Sequence, residues 1–208
     1  MRIRNASLSS LLAIAIVLFV ACGDDSTTVE CKSCACNPAL CRTPTSKLQV
    51  LSDIEYAYNK KKVSTYNELL DDNFTFFYTE SDASGQIPVQ WGRDDEIKTT
   101  SGLLNAATSI SLDLKWEDGV TWTTVVSGSE EWFYTTVFYN YTIKIGDTTY
   151  IPNAGAKAQF TVRNVGTAEN PAWKLVQFRD LGGPSIAERL AGATEPTTWG
   201  AVKAKYRS

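Results

Sequence analysis

The chain has 208 residues, with 20 Lys and Arg against 23 Asp and Glu, a net charge of −3, and no histidine. Hydrophobic residues make up 43% and charged residues 21%, enough apolar material for one domain of ordinary size with appendages. The acidic balance excludes a broad nucleic-acid-binding surface, which needs a basic excess. The absence of histidine excludes Ser-His-Asp and Cys-His nucleophile systems, histidine bases and histidine metal sites.

Residues 1–21 read as an export signal. Arg2 and Arg4 supply the positive start, and an uncharged apolar run from Leu11 ends in small residues at Ala21. That run is shorter than the roughly 18–20 residues a membrane-spanning helix needs. The segment Leu18-Phe19-Val20-Ala21-Cys22 resembles a lipobox, after which a bacterial lipoprotein is cleaved and its new terminal cysteine acylated. Phe19 stands where leucine is usual. The resemblance implies a palmitate-bearing lipoprotein anchored through Cys22 to a membrane of the cell envelope. Gly23, rather than aspartate, follows the cysteine, which implies the outer membrane or cell surface over the inner membrane. Loss of the signal removes two arginines and no acid, so the mature chain is more acidic still.

Residues 22–46 read as a tether, rich in Asp, Ser, Thr, Pro and Asn and without apolar periodicity. Cys31, Cys34, Cys36 and Cys41 lie within it. In an exported, oxidising compartment local disulfides are the expectation, with no pairing chosen by the sequence. The spacing C-x2-C-x-C-x4-C lacks the separated knuckles of a zinc ribbon, so no metal is expected, and nothing calls for a cofactor.

The domain spans residues 47–183. Leu48, Leu51, Ile54 and Tyr58 recur at helical spacing and predict an amphipathic helix over residues 47–62. Ser64 is the expected N-cap of a second, short helix carrying Tyr66, Leu69 and Leu70. Phe74 to Thr79 is a strand by composition. A loop through Gly85 and Pro88 leads to Trp91-Gly92-Arg93, and Asp94 is the expected cap of a third helix, with Ile97 and Leu104 on one face. The period then changes to two: Ile110, Leu112, Leu114 and Trp116 alternate with Ser109, Ser111, Asp113 and Lys115. Strands are expected around residues 122–126, over residues 132–145 up to the Gly146-Asp147 turn, through Ala158, Phe160 and Val162, and from Trp173 to Asp180. Helices followed by antiparallel strands make an α+β domain, with helices packed on one face of a curved sheet. Residues 184–208 form a helical tail, with a capping box at residues 185–188 and a last helix from Thr198 through Tyr206.

Two N-terminal helices, the segment "LLDDNFTF" at residues 69–76, "WGRDDEI" at residues 91–97 and the closing strand "WKLVQFRDL" at residues 173–181 resemble the nuclear transport factor 2-like superfamily. This group includes SnoaL-like polyketide cyclases and ketosteroid isomerases. The resemblance implies a sheet curled around the helices into a cone, whose open end often holds an apolar pocket. It does not carry over a catalytic residue. Ungapped alignment of the isomerase Asp-Asp pair on Asp71-Asp72 puts Phe77 at the base and Asp53 at the oxyanion-hole tyrosine. The dehydratase branch relies on histidine, and the hydrolase branch on two aspartates bridged by arginine, for which Arg179 and Asp113 are the nearest candidates.

Tyr58, Phe76, Trp91, Trp116, Tyr134 and Phe138 are the candidate pocket lining, with a packed core as the alternative for the same aromatic residues. Arg93 is either a rim cation for an acidic ligand or a solvated side chain beside a capping Asp94. The favoured function is a lipid-anchored, non-catalytic domain holding a small apolar ligand. The alternatives are an isomerase-, cyclase- or hydrolase-type enzyme, or an interaction module whose outer sheet face docks a protein or a second copy as a homodimer. Buried carboxylates in the cone would favour the enzyme, and a broad apolar outer patch the module.

Overall fold

The computed structural model describes residues 43–82, 85–116, 119–128, 130–152, 154–182 and 196–207. The export signal, Cys22, the four tether cysteines and the capping box at 185–188 lie outside these residues. Helix α1, Lys47–Asn59, is capped by Ser46, whose hydroxyl accepts from the Gln49 N–H. Its buried face is centred on Ile54, with Val50, Leu51, Ala57 and Tyr58 around it. Leu48, expected on that face, lies roughly a third of a turn away and is 42% exposed. Helix α2, Val63–Leu69, starts two residues earlier than expected. A tight turn with Lys61 at φ 54° makes Lys62 the N-cap, so Ser64 sits inside the first turn and does not cap.

Strand β1, Leu70–Asp82, pairs antiparallel with β2, Gly85–Gly92, which replaces the expected loop. The edge position of β2 is what admits Pro88, since a proline cannot supply a ladder donor on a central strand. Helix α3, Arg93–Ala106, has Gly92 rather than Asp94 as its N-cap. Asp94, Asp95 and Glu96 fill its first turn, where negative charge suits the helix dipole. Its buried side chains are Glu96, Thr99, Thr100, Leu103 and Leu104, and Ile97 is only partly covered.

The strands that follow are β3, Ser109–Leu114; β4, Thr123–Ser127; β5, Glu130–Ile145; β6, Thr148–Pro152; β7, Lys157–Asn164; and β8, Trp173–Gly182. A two-residue strand β9, Pro196–Thr197, precedes helix α4, Trp199–Ala204. Strand order is β2-β1-β8-β7-β5-β6-β9, with β3 and β4 also paired to β5. The α+β architecture is as expected, but the sheet is mixed: β1 runs parallel to β8, and β6 to β9. Long β5 is the spine, pairing β4 and β7 along its first half and β3 and β6 along its second. Leu112 and Leu114 are buried and Ser111 exposed, so the alternation read for β3 holds. The core lies between the helices and the inward phase of the strands: Phe74, Phe76 and Tyr78 on β1, Val137, Tyr139 and Tyr141 on β5, Ala158, Phe160 and Val162 on β7. Helix α4, assigned by sequence to the tail, packs in this core with Trp199, Val202 and Lys203 buried.

Candidate functional site

Two charged side chains meet inside the cone, and neither has any exposed surface. Glu96, in the first turn of α3, and Lys203, in α4, form an ion pair with Nζ 2.5 Å from Oε1. The same carboxylate accepts from Tyr66 Oη at 2.5 Å, Thr100 Oγ1 at 3.1 Å and Trp91 Nε1 at 2.7 Å. Four elements, α2, β2, α3 and α4, contribute to this cluster. An ionised group out of water costs several kcal/mol unless donors replace its hydration, and four donors do so here.

The ammonium of Lys203 is wrapped in aromatic faces. Its nitrogen lies 4.3 Å from the ring centre of Phe76, 4.8 Å from Phe178, and between 5.4 and 5.7 Å from Trp199, Tyr66 and Tyr58. Burial alone would pull this amine down, but attraction to Glu96, with help from the Tyr58 hydroxyl, outweighs it and holds the amine above its ordinary value. Burial pushes the Tyr66 phenol well up, and the Glu96 charge adds to this. Lys203 is therefore a cation here and not a neutral nucleophile.

A second polar group seats the other end of α4. Asp180 accepts from Tyr139 Oη at 2.8 Å, from Gly182 N at 3.0 Å and from Gly200 N at 2.7 Å. Burial raises its carboxyl above the usual carboxylate range. The Trp199 indole packs edge-on against Tyr58 and Phe178, at 4.9 and 4.8 Å, yet its N–H has no hydrogen-bond partner among the described residues. Gly200 is pressed against Tyr78 so closely that a Cβ would lie 2.4 Å from the tyrosine Cβ. Trp199 and Lys203 thus pack against Tyr58 and Phe76, two of the residues expected to line a pocket.

A charged surface cleft of ≈ 520 Å³ lies elsewhere, lined by Asp71, Asp72, Arg93, Arg163 and Lys174 among others. Arg163 grips Asp71 with two bonds, at 2.7 and 3.1 Å, and reaches Glu130 at 2.6 Å. Arg93 is half-buried and donates to the Asn67 carbonyl at 3.3 Å, so it borders this cleft rather than pointing into solvent.

Of the six residues read as pocket lining, Tyr58, Phe76 and Trp91 meet in the chamber. The other three do not. Trp116 is half-buried and donates to Glu55 at 3.1 Å. Tyr134 and Phe138 sit on the even, outward phase of β5, and Phe138 is 51% exposed with the Lys157 ammonium 4.7 Å above its ring. The inward phase is the odd one, because Val137, Tyr139, Tyr141 and Ile143 are the residues that meet the core. Sequence reasoning missed Glu96, Lys203, Tyr66, Asp180, Tyr139 and Trp199. The signals were present: Glu96 shares a helical face with Thr100 and Leu103, Lys203 follows Trp199 by one turn, and Asp180 is in phase with Phe178.

No protein-family model matches the chain, and no curated protein does. Solved structures do. They include a nuclear transport factor 2-like superfamily protein from Salmonella enterica, at 11% identity and TM-score 0.47 over 68% of this chain and 93% of that one. A nuclear transport factor 2-like protein of unknown function in nutrient uptake from Rhodospirillum rubrum aligns at 12% identity and TM-score 0.48, over 66% and 98% of the two chains. One from Pseudomonas putida, also of unknown function, aligns at 11% and 0.45, over 72% and 93%. The likeness is one of fold. None of these neighbours assigns a role to the chamber residues.

Proposed function

We propose that the chain is an exported binding protein, anchored through an acylated Cys22 at the outer membrane or cell surface, whose chamber takes a small ligand without turning it over. The observation that carries the reading is the Glu96–Lys203 pair inside a closed aromatic chamber. Buried ion pairs are commonly no more stabilising than apolar packing of the same volume, so a domain selected for its core alone has little use for one. A chamber that holds polar groups ready for an occupant does. Its present occupant is α4, so binding is a competition in which the helix leaves as the ligand enters.

Turnover is not favoured, because a general base needs a free lone pair within reach of a substrate proton. Glu96 already accepts from four donors and Asp180 from three. Native mass spectrometry of the protein extracted from its own membrane should find a retained small molecule, with faster hydrogen exchange in α4 when it is bound. Conversion of a ketone, epoxide or polyketide, abolished by Glu96→Gln, would replace binding by catalysis. Labelled palmitate should enter the wild type and not Cys22→Ser. Equal labelling of both would remove the anchor. An interaction module is the second reading, favoured by the exposure of Val126, Phe138 and Leu181. It would be the survivor if α4 never opened and the chamber stayed filled.

A further inference from the structure

We infer that the chamber is a recognition site for a primary ammonium carried on an aromatic body, and that Lys203 with Trp199 is its built-in stand-in for that ligand. This rests on the binding function proposed above and replaces the neutral apolar ligand expected from sequence. The cage belongs to the body of the domain and not to the helix that fills it. Tyr58 comes from α1, Tyr66 from α2, Phe76 from β1, Glu96 from α3 and Phe178 from β8. It is therefore still in place when α4 is not.

Charge decides the ligand class. With α4 in place the Glu96 carboxylate has no exposed surface; with α4 withdrawn it keeps Tyr66, Trp91 and Thr100 as donors but loses its counter-charge. A neutral apolar molecule would seal an uncompensated carboxylate inside the protein, the costly half of a broken buried pair. A cation restores the balance, and the faces of Phe76, Phe178, Tyr66 and Tyr58 favour it further. Hydrogen bonding narrows the cation. Lys203 donates to Glu96, so a primary ammonium has a hydrogen-bond acceptor that a quaternary one cannot use. The indole of Trp199, one turn away, adds an aromatic volume next to the ammonium position. Together the two side chains outline an arylalkylammonium.

The stand-in is also imperfect, as a displaceable one should be. The Trp199 N–H is buried without a partner among the described residues, and α4 is only six residues long. Because ligand and helix exclude each other, the wild type binds more weakly than its chamber would by the fraction of time α4 is out.

The test uses the full chain and phenethylammonium, with 2-phenylethanol as the neutral match, by titration calorimetry and hydrogen exchange. The expected result is that phenethylammonium binds and speeds exchange of the α4 amides, and that phenylethanol does neither. Lys203→Ala should bind phenethylammonium about tenfold more tightly or better, since its competitor is gone. Glu96→Gln should weaken binding by roughly tenfold to a hundredfold. Lys203→Met, which keeps the stem, serves in place of a Lys203→Ala that fails to fold, and the wild-type arm decides without either. Equal binding of phenylethanol with α4 released would overturn the ammonium while leaving the binding function standing. Binding with α4 exchange unchanged, or unaffected by Glu96→Gln, would place the amine elsewhere and overturn the inference. No binding to wild type, with α4 exchanging only on global unfolding, would overturn both.

Discussion

At the scale of residues, the chamber turns on compensation. Glu96 is tolerable because Tyr66, Trp91, Thr100 and Lys203 together replace its water, and Lys203 because Glu96 and a ring of aromatic faces replace its own. Removing one partner strands the other. Glu96→Gln or Lys203→Met alone should each cost about 3–5 kcal/mol in urea unfolding. The double variant should cost clearly less than their sum, because neither charge is then left alone. Additive losses would mean that the two charges do not stabilise each other. The sign differs on a strand face: Leu112→Asp should cost several kcal/mol, since an unpaired charge enters the core, and Ser111→Asp within about 0.5 kcal/mol.

Among the elements, α4 is held differently from the rest. Strands β1, β8, β7 and β5 are held by backbone ladders, with register shifts between β1 and β8 and between β7 and β8, whereas α4 depends on side-chain contacts, the Asp180–Gly200 bond and short β9. Gly200 is the weak point, because no side chain fits between α4 and Tyr78. Gly200→Ala should push α4 out at about 1–3 kcal/mol, the usual cost of overpacking. Hydrogen exchange should then be fast in α4 and little changed in β7 and β8. Exchange rising equally throughout would mean that α4 and the sheet unfold as one unit.

For the whole molecule, the buried phenols and the amine set the alkaline limit. Burial raises Tyr58, Tyr66, Tyr139 and Tyr141, and Lys203 is raised in balance by its partners. In each the folded value exceeds the unfolded one, so the stability they contribute is complete below about pH 10 and is lost as the pH climbs toward the folded values. Each such group removes about 1.4 kcal/mol per pH unit in that window. The thermal midpoint should therefore hold to about pH 9 and then drop steeply, together with the appearance of tyrosinate absorbance. Tyrosinate appearing well before any loss of stability would show that the phenols reach solvent in the folded protein. Asp180, raised by burial, follows the same sign at the acid end: its contribution is complete below about pH 4 and declines as the pH rises through the folded value.

Much of this molecule was legible in the chain itself. Periods of 3.6 and 2 are imposed by the backbone, so Leu51, Ile54 and Tyr58 on α1 and Leu112 and Leu114 on β3 declare their buried face locally. The helices-then-strands order, the last helix near Thr198 and the Gly146 turn are local for the same reason. The phase of a long aromatic strand is not, and Phe138 shows it: both phases of β5 are rich in aromatic residues, and only packing decides which one faces the core. The ion pair is less local still. A glutamate on a helix reads as a solvated face until a lysine 107 residues later closes on it. Only the tertiary structure brings those charges together, because desolvation depends on which distant elements meet.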